Sequence, residues 1–349
     1  MYQYIGNYRY LAGSIEMAVM SSNIPFSVLD LATVVEGFSI TDTLRKSLDN
    51  ARQAEQLGYT RYWFAEHHNM INVASSATAV LIGYIAGGTQ SIRVGSGGIM
   101  LPNHSPLIVA EQFGTLASLY PDRIDLGLGR APGTDQGTAQ AIRGDNFNAA
   151  HYFPQDVEKL QRYFSAENSN SKVRAIPGEG TDVPIWILGS STDSARLAAV
   201  KGLPYAFASH FAPAYFLEAI KIYRQNFRPS AVLQSPYVMA CVNVVAADTD
   251  AAANRQATSL QQFFMGVITG RRQLLQPPVD NMEDLWSVYE KEAVNGMLGY
   301  AFIGGPEKIK REMQAFIEQT GINEVMVTSH LYNHEDKLKS YRIFAEAIK

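Results

Sequence analysis

The sequence predicts a (β/α)₈ barrel with rim insertions, and three observations carry that prediction. Short apolar runs alternate with longer helix-periodic segments, giving eight strands, each followed by helix. No G-x-G-x-x-G opens a helix after the first strand, so the main sign of the competing open, doubly wound sheet is missing. The chemically unusual residues fall just after several different strands, where a barrel builds its active site. At 349 residues the chain has room for a barrel of about 250 with additions.

The first strand is 24–31 (IPFSVLDL). A helix at 41–57 follows, with Leu44, Leu48, Ala51 and Leu57 on one stripe and Gly58 as its stop. The second strand is 59–65 (YTRYWFA), and 75–88 is a helix of small and apolar residues. The third strand, 92–101 (IRVGSGGIML), carries glycines inside it; a helix at 106–119 and a fourth strand at 123–129 (RIDLGLG) follow. In the second half, helices are expected at 154–164, 192–201, 213–226 and 251–270. Strands are expected at 183–188 (VPIWIL), 205–208 and 237–247. The last unit is a helix at 306–320, a strand at 324–328 and a helix at 335–349. Extra length sits at 131–153 and 271–297, both candidate lids over the barrel mouth. Arg143 and His151 in the first of these are candidate substrate contacts.

Composition narrows the function. Lys and Arg number 29 against 33 Asp and Glu, a net charge of -4, so no basic excess points to nucleic acid or an anionic membrane surface. Cys241 is the only cysteine; it rules out an internal disulfide and fits a reducing cytoplasm. No run of about 18 apolar residues suggests a membrane span. Residues 1–23 lack the charged start and apolar core of a secretory signal. They read as a loose N-terminal arm or start-site extension ahead of one domain at 24–349.

Four strand ends carry the chemistry. After the second strand come Glu66, His67 and His68: an imidazole can move protons near neutral pH, and a neighbouring carboxylate can orient it. After the third, Gly97 and Gly98 weaken a strand, which a bulge or the close approach of a flat ligand would explain. After the fourth comes Arg130, suited to a phosphate or carboxylate. After the fifth, Ser190, Ser191 and Ser194 open a helix, where free N–H groups favour an anion. Together with Arg130 they read as a phosphate clamp. His104, His210 and His330 also follow strands, but without tight ligand spacing, so no metal site is expected.

These motifs together resemble the bacterial-luciferase-like family of flavin-dependent monooxygenases. The matching runs are FAEHHN at 64–69, VGSGGIMLPNHSP at 94–106, QFGTLASLYPDRIDLGLGRAPGTD at 112–135, LGSSTDSARLAAVKGLP at 188–204, IGGPEKIKREM at 303–313 and EVMV at 324–327. The resemblance implies an FMN site at the barrel's C-terminal mouth. Arg130, Ser191 and Ser194 would hold the flavin phosphate, with N–H donors around Ser190. A non-proline cis peptide at Gly97–Gly98 would lie against the ring. His67 would be the active-site acid or base, Glu66 and His68 would support it, and Ser209 and His210 would border the ring or substrate. It further implies a homodimer that oxidises a small organic substrate with O2. Reduced FMN would come from a separate NAD(P)H:flavin reductase. The alternatives are a deazaflavin-coenzyme oxidoreductase or a non-catalytic flavin-binding protein. Gly129 stands where the luciferases themselves have a cysteine, a departure that argues against light emission.

Overall fold

The computed structural model describes residues 24–144, 146 and 148–349, so the expected arm at 1–23 lies outside the described residues. β1 (Phe26–Asp30) leads into α1 (Ile40–Gln56), β2 (Arg61–Phe64) into α2 (Thr78–Gly88), and β3 (Arg93–Met100) into α3 (Pro106–Leu119). β4 (Ile124–Gly129) leads into α4 (Gln136–Arg143) and α5 (Phe153–Phe164). β5 (Ile185–Gly189) is followed by α6 (Thr192–Lys201), β6 (Tyr205–Phe207) by α7 (Phe216–Asn226), and β7 (Val238–Ala246) by α8 (Asp250–Thr269) and α9 (Val288–Met297). β8 (Ala301–Gly304) precedes α10 (Pro306–Thr320), and β9 (Glu324–Thr328) precedes α11 (His334–Ile348).

All pairings between these strands are parallel. β1 to β7 are neighbours in chain order, β7 pairs with β9, and β9 returns to β1 with Val325 opposite Phe26. The result is a closed eight-stranded (β/α)₈ barrel, as the sequence predicts. The ninth strand among the described residues, β8, was not expected. It pairs only with the upper half of β7, Asn243–Ala246 against Ala301–Gly304. Asn243 faces Thr328 on its other edge, so β8 is a flap on the rim and leaves the eight barrel strands unchanged. Its AFIG run is too short to show a period and runs straight into the Gly305–Pro306 helix start.

Alternation along each strand builds two cores. Val28, Tyr62 and Phe64 point outward to the helices, while Leu29 and Trp63 point inward with Trp186, Met239 and Met326. The strands' N-terminal ends close the barrel with charge. Arg61 bridges Asp125 at 2.8 Å and Glu324 at 3.0 Å. Arg93 and the Trp63 indole also donate to Asp125, and Ser27 and Tyr237 donate to Glu324. Each buried carboxylate thus has several donors, which such a group requires. The opposite, C-terminal mouth is open. Among the described residues no helix is long and apolar enough to cross a membrane.

Candidate active site

A cavity of about 390 Å³ opens at that mouth. Its wall takes Leu29 from β1, His67 from the segment after β2, Gly97 and Met100 from β3, and Arg130 from the end of β4. Ser190, Ser191 and Ser194 follow β5, His210 follows β6 and His330 follows β9. α8 adds Phe263 and Phe264, and the second insertion adds Arg272 and Met297. Among the described residues no aspartate or glutamate stands on this wall, so its formal charge is positive.

Glu66 lies behind the wall, 1 % exposed, and anchors it. His68 Nε2 and His104 Nε2 each donate to Oε1 at 2.9 Å, and the Met100 amide donates to Oε2 at 3.1 Å. Burial pushes this carboxyl up, but the His104 and His68 hydrogen bonds outweigh it and hold it at about 2. Glu66 is therefore a fixed anion that ties the loop after β2 to the loop after β3. His68 is bound into this cluster and does not reach the cavity.

His67 does reach it. Its Nδ1 lies 3.2 Å from the Gly133 carbonyl. A carbonyl only accepts, so Nδ1 carries the hydrogen and Nε2 is the basic nitrogen of the neutral ring. Burial lowers its affinity for a second proton, against the pull of the Gly133 carbonyl; the ring is neutral at pH 7. Gly133 belongs to the first insertion, which is laced to the same loop. Thr134 Oγ1 donates to the His68 carbonyl at 3.0 Å, and Asn69 Nδ2 reaches Thr138 Oγ1 at 3.0 Å, next to the α4 cap Asp135. The insertion thus orients the histidine. Its Arg143 lines a separate outer groove with His104, and His151 packs edge-on against Tyr152; neither lines the cavity.

The Gly97–Gly98 peptide is cis, and the β3–β4 register shifts there. Gly97 is on the wall and Gly98 behind it; a Cβ on Gly98 would stand 2.7 Å from the Gly127 carbonyl oxygen. Across the mouth, Ser191 is the N-cap of α6 but makes no side-chain cap bond. The Ser194 hydroxyl lies 2.8 Å from the Ser191 carbonyl and 3.0 Å from the Tyr205 hydroxyl, so its proton is already committed. Arg130 makes one exposed pair, with Asp193 at 3.3 Å, which an incoming anion can displace. Ser209 is buried and donates to the Cys241 carbonyl at 2.6 Å. It is off the wall, and its neighbour His210 is on it.

Among the described residues, two buried wall atoms have no partner: His210 Nδ1 and Asn72 Oδ1. Burial pushes His210 and His330 down to about 3, so both are neutral hydrogen-bonding groups. Among the described residues no three His, Cys, Asp or Glu side chains converge as metal ligands. Asn72 and Arg272 escape the motif reading because both lie in irregular segments whose facing no period foretells. His104 sits in the VGSGGIMLPNHSP run, where the polar Asn103, His104 and Ser105 end an apolar strand, and that break was the usable sign.

Comparison with known proteins gives a consistent picture. The family model described as luciferase-like monooxygenase matches residues 24–324. An uncharacterised protein, YvbT, of Bacillus subtilis (strain 168) is 55% identical over 324 residues, 93% of this chain and 96% of that one. A luciferase-like monooxygenase of Escherichia coli (strain K12) is 49% identical over 320 residues, 92% of this chain and 96% of that one. The crystal structure of apo-MsnO8 is similar at 36% identity and a TM-score of 0.83, covering 93% of this chain and 98% of that one.

Proposed function

The chain belongs to the luciferase-like monooxygenase family, and from that premise we propose that it is an FMN-dependent monooxygenase oxidising a small organic substrate with O2. One observation carries the reading: a single cavity brings together a glycine wall at Gly97, an anion-binding helix start beside Arg130, and the neutral imidazole of His67. The residues fit FMN. Arg130, Ser190, Ser191 and the first N–H groups of α6 would hold the phosphate. Gly97 leaves the wall flat where a planar ring would lie, and the orphaned His210 Nδ1 and Asn72 Oδ1 offer bonds to its polar edge or to the substrate.

When bound in reduced form, the flavin supplies the electrons that let O2 deliver one oxygen to substrate and one to water. This chain's residues do the rest. His67 Nε2 accepts or returns a proton at the reacting centre. Glu66 and His68 support the loop that carries it, and the Gly133 carbonyl sets its tautomer. The two insertions shield the mouth from water. In this reading a separate NAD(P)H:flavin reductase delivers the reduced flavin in the cytoplasm. The protein is a homodimer formed through α2 and α3, whose Val80, Tyr84, Ile108 and Leu119 are exposed.

The test is a titration with oxidised and photoreduced FMN, followed anaerobically by flavin fluorescence. Tighter binding of the reduced form is expected. Arg130→Ala should weaken it about tenfold or more, the loss of a charge-assisted contact. His67→Ala should leave that affinity within about threefold while lowering oxygen-dependent turnover by roughly 10²-fold or more. Binding of a deazaflavin coenzyme in place of either FMN form would overturn the assignment.

A further inference from the structure

Phosphate binding uses one side of the cavity, beside β4 and β5, and leaves a second cation unassigned. Arg272 is on the wall, three residues before Leu275, whose backbone pairs with Val34 and Glu36 just beyond β1. In the closed strand order β1 lies across the barrel from β5, so the segment that carries Arg272 is tied to a different side of the mouth from the β4 end that carries Arg130. Ion pairs of arginine among the described residues belong to Arg61, Arg93, Arg130, Arg174 and Arg255, and Arg272 has none. Among the described residues the wall carries no acidic side chain to neutralise it.

Arg272 is exposed to solvent where it joins the cavity wall, close enough to His67 to act on its charge. The same cavity is lined by apolar Met70, Val73, Phe263 and Val267 and by Asn72, whose 2 % exposed side chain has an unpartnered Oδ1 among the described residues. A guanidinium fork facing an acid-free apolar chamber attracts anions and holds a carboxylate through two parallel hydrogen bonds. The chamber itself takes a hydrocarbon body.

We infer that the second ligand of this cavity, its substrate, is an amphipathic organic acid, with its carboxylate on Arg272 and its apolar body against Met70, Val73 and Phe263. The inference rests on the flavin reading and adds a substrate class to it. Arg272 is then the residue that selects acids over neutral molecules of the same shape.

The experiment titrates straight-chain acids from butanoate to decanoate, and the matching amides, into FMN-loaded protein, with calorimetry and flavin fluorescence as readouts. The best acid should bind at least about tenfold more tightly than its amide. Arg272→Gln should remove that preference and leave amide and FMN affinities within about twofold; Arg272→Lys should keep part of it, as a point charge replacing a fork. Equal binding of acid and amide, no binding by any acid of the series, or equal loss of FMN and acid affinity in Arg272→Gln would each overturn the inference. The same titration without FMN separates the two readings. If FMN fails to bind while acid selectivity through Arg272 persists, the flavin reading falls and the acid site stands; if selectivity is absent there too, both fall.

Discussion

At Glu66 a buried carboxylate takes hydrogen bonds from two imidazoles, a backbone amide and, at 3.3 Å, the Asn103 amide. These hold it at about 2, from an ordinary 4.5. A carboxyl lowered on folding stabilises the folded state above its unfolded value, and that stabilisation is lost as pH falls from about 4.5 towards about 2. Glu66→Gln replaces an acceptor oxygen with an N–H₂ that opposes a histidine N–H. It should therefore lower stability at pH 7 by roughly 3 kcal/mol. The deficit should shrink as urea unfolding is repeated towards pH 2; a deficit independent of pH would mean that packing, not charge, is the cause. Much of this cluster was legible in the sequence, since Glu66, His67, His68 and His104 sit in two quoted motifs. Their division of labour was not. That His67 reaches the cavity while its neighbour is spent on Glu66 depends on how the chain turns after β2, and no pattern in EHHN specifies it. The same applies to Ser194 and Ser209, hydroxyls whose partners, Tyr205 and the Cys241 carbonyl, become neighbours only when the barrel closes.

Strand β3 shows how one element sets the cavity's shape. Its two central glycines face different neighbours. A Cβ on Gly97 would stand 2.7 Å from Leu29 Cδ1, the end of a side chain that can swing aside, whereas one on Gly98 would meet the Gly127 backbone 2.7 Å away. Gly98→Ala must push β4 away, and should destabilise by about 3 kcal/mol, the upper part of the range for overpacking; Gly97→Ala should cost about 1 kcal/mol. Denaturant unfolding of the two variants checks the order, and equal losses would show that the β3–β4 seam yields as readily as a side chain. Three glycines in an apolar run announced a special strand, so this feature was readable in advance. β8 was not, because four residues offer no period and its role as a flap follows from where β7 ends. α4 and α9 lie inside segments set aside as insertions. Each has a side-chain N-cap, Asp135 and Ser287, a local sign of helix that carries no barrel period.

On the scale of the whole molecule, the two ends of the barrel differ in how they handle buried histidine and charge. At the N-terminal end of the barrel, buried charges are paired within the Arg61–Asp125–Glu324 cluster. At the C-terminal mouth the two buried wall histidines are kept neutral, while the carboxylate of Glu66 behind the wall stays charged. His210 faces His67, and His330 stacks on Phe263 with a ring separation of 4.3 Å, near Lys337, His210 and Asp30. Burial holds both rings at about 3, from an ordinary 6.5. Here the unfolded chain binds the protons, so stability falls as pH drops below about 6.5 and goes on falling until about 3. Each histidine contributes a slope of up to about 1.4 kcal/mol per pH unit, and together they should remove roughly 2–4 kcal/mol between pH 7 and pH 5. That window lies above the range in which Glu66 acts, so the two effects separate on one pH axis. A double variant, His210→Asn with His330→Asn, should be less stable at pH 7 from lost packing, yet lose clearly less stability from pH 7 to pH 5 than the parent, the remainder coming from His67 and His334. Urea unfolding at pH 7, 6 and 5 decides it. A double variant as pH-sensitive as the parent would place the acid lability elsewhere and remove these two neutral histidines as its cause.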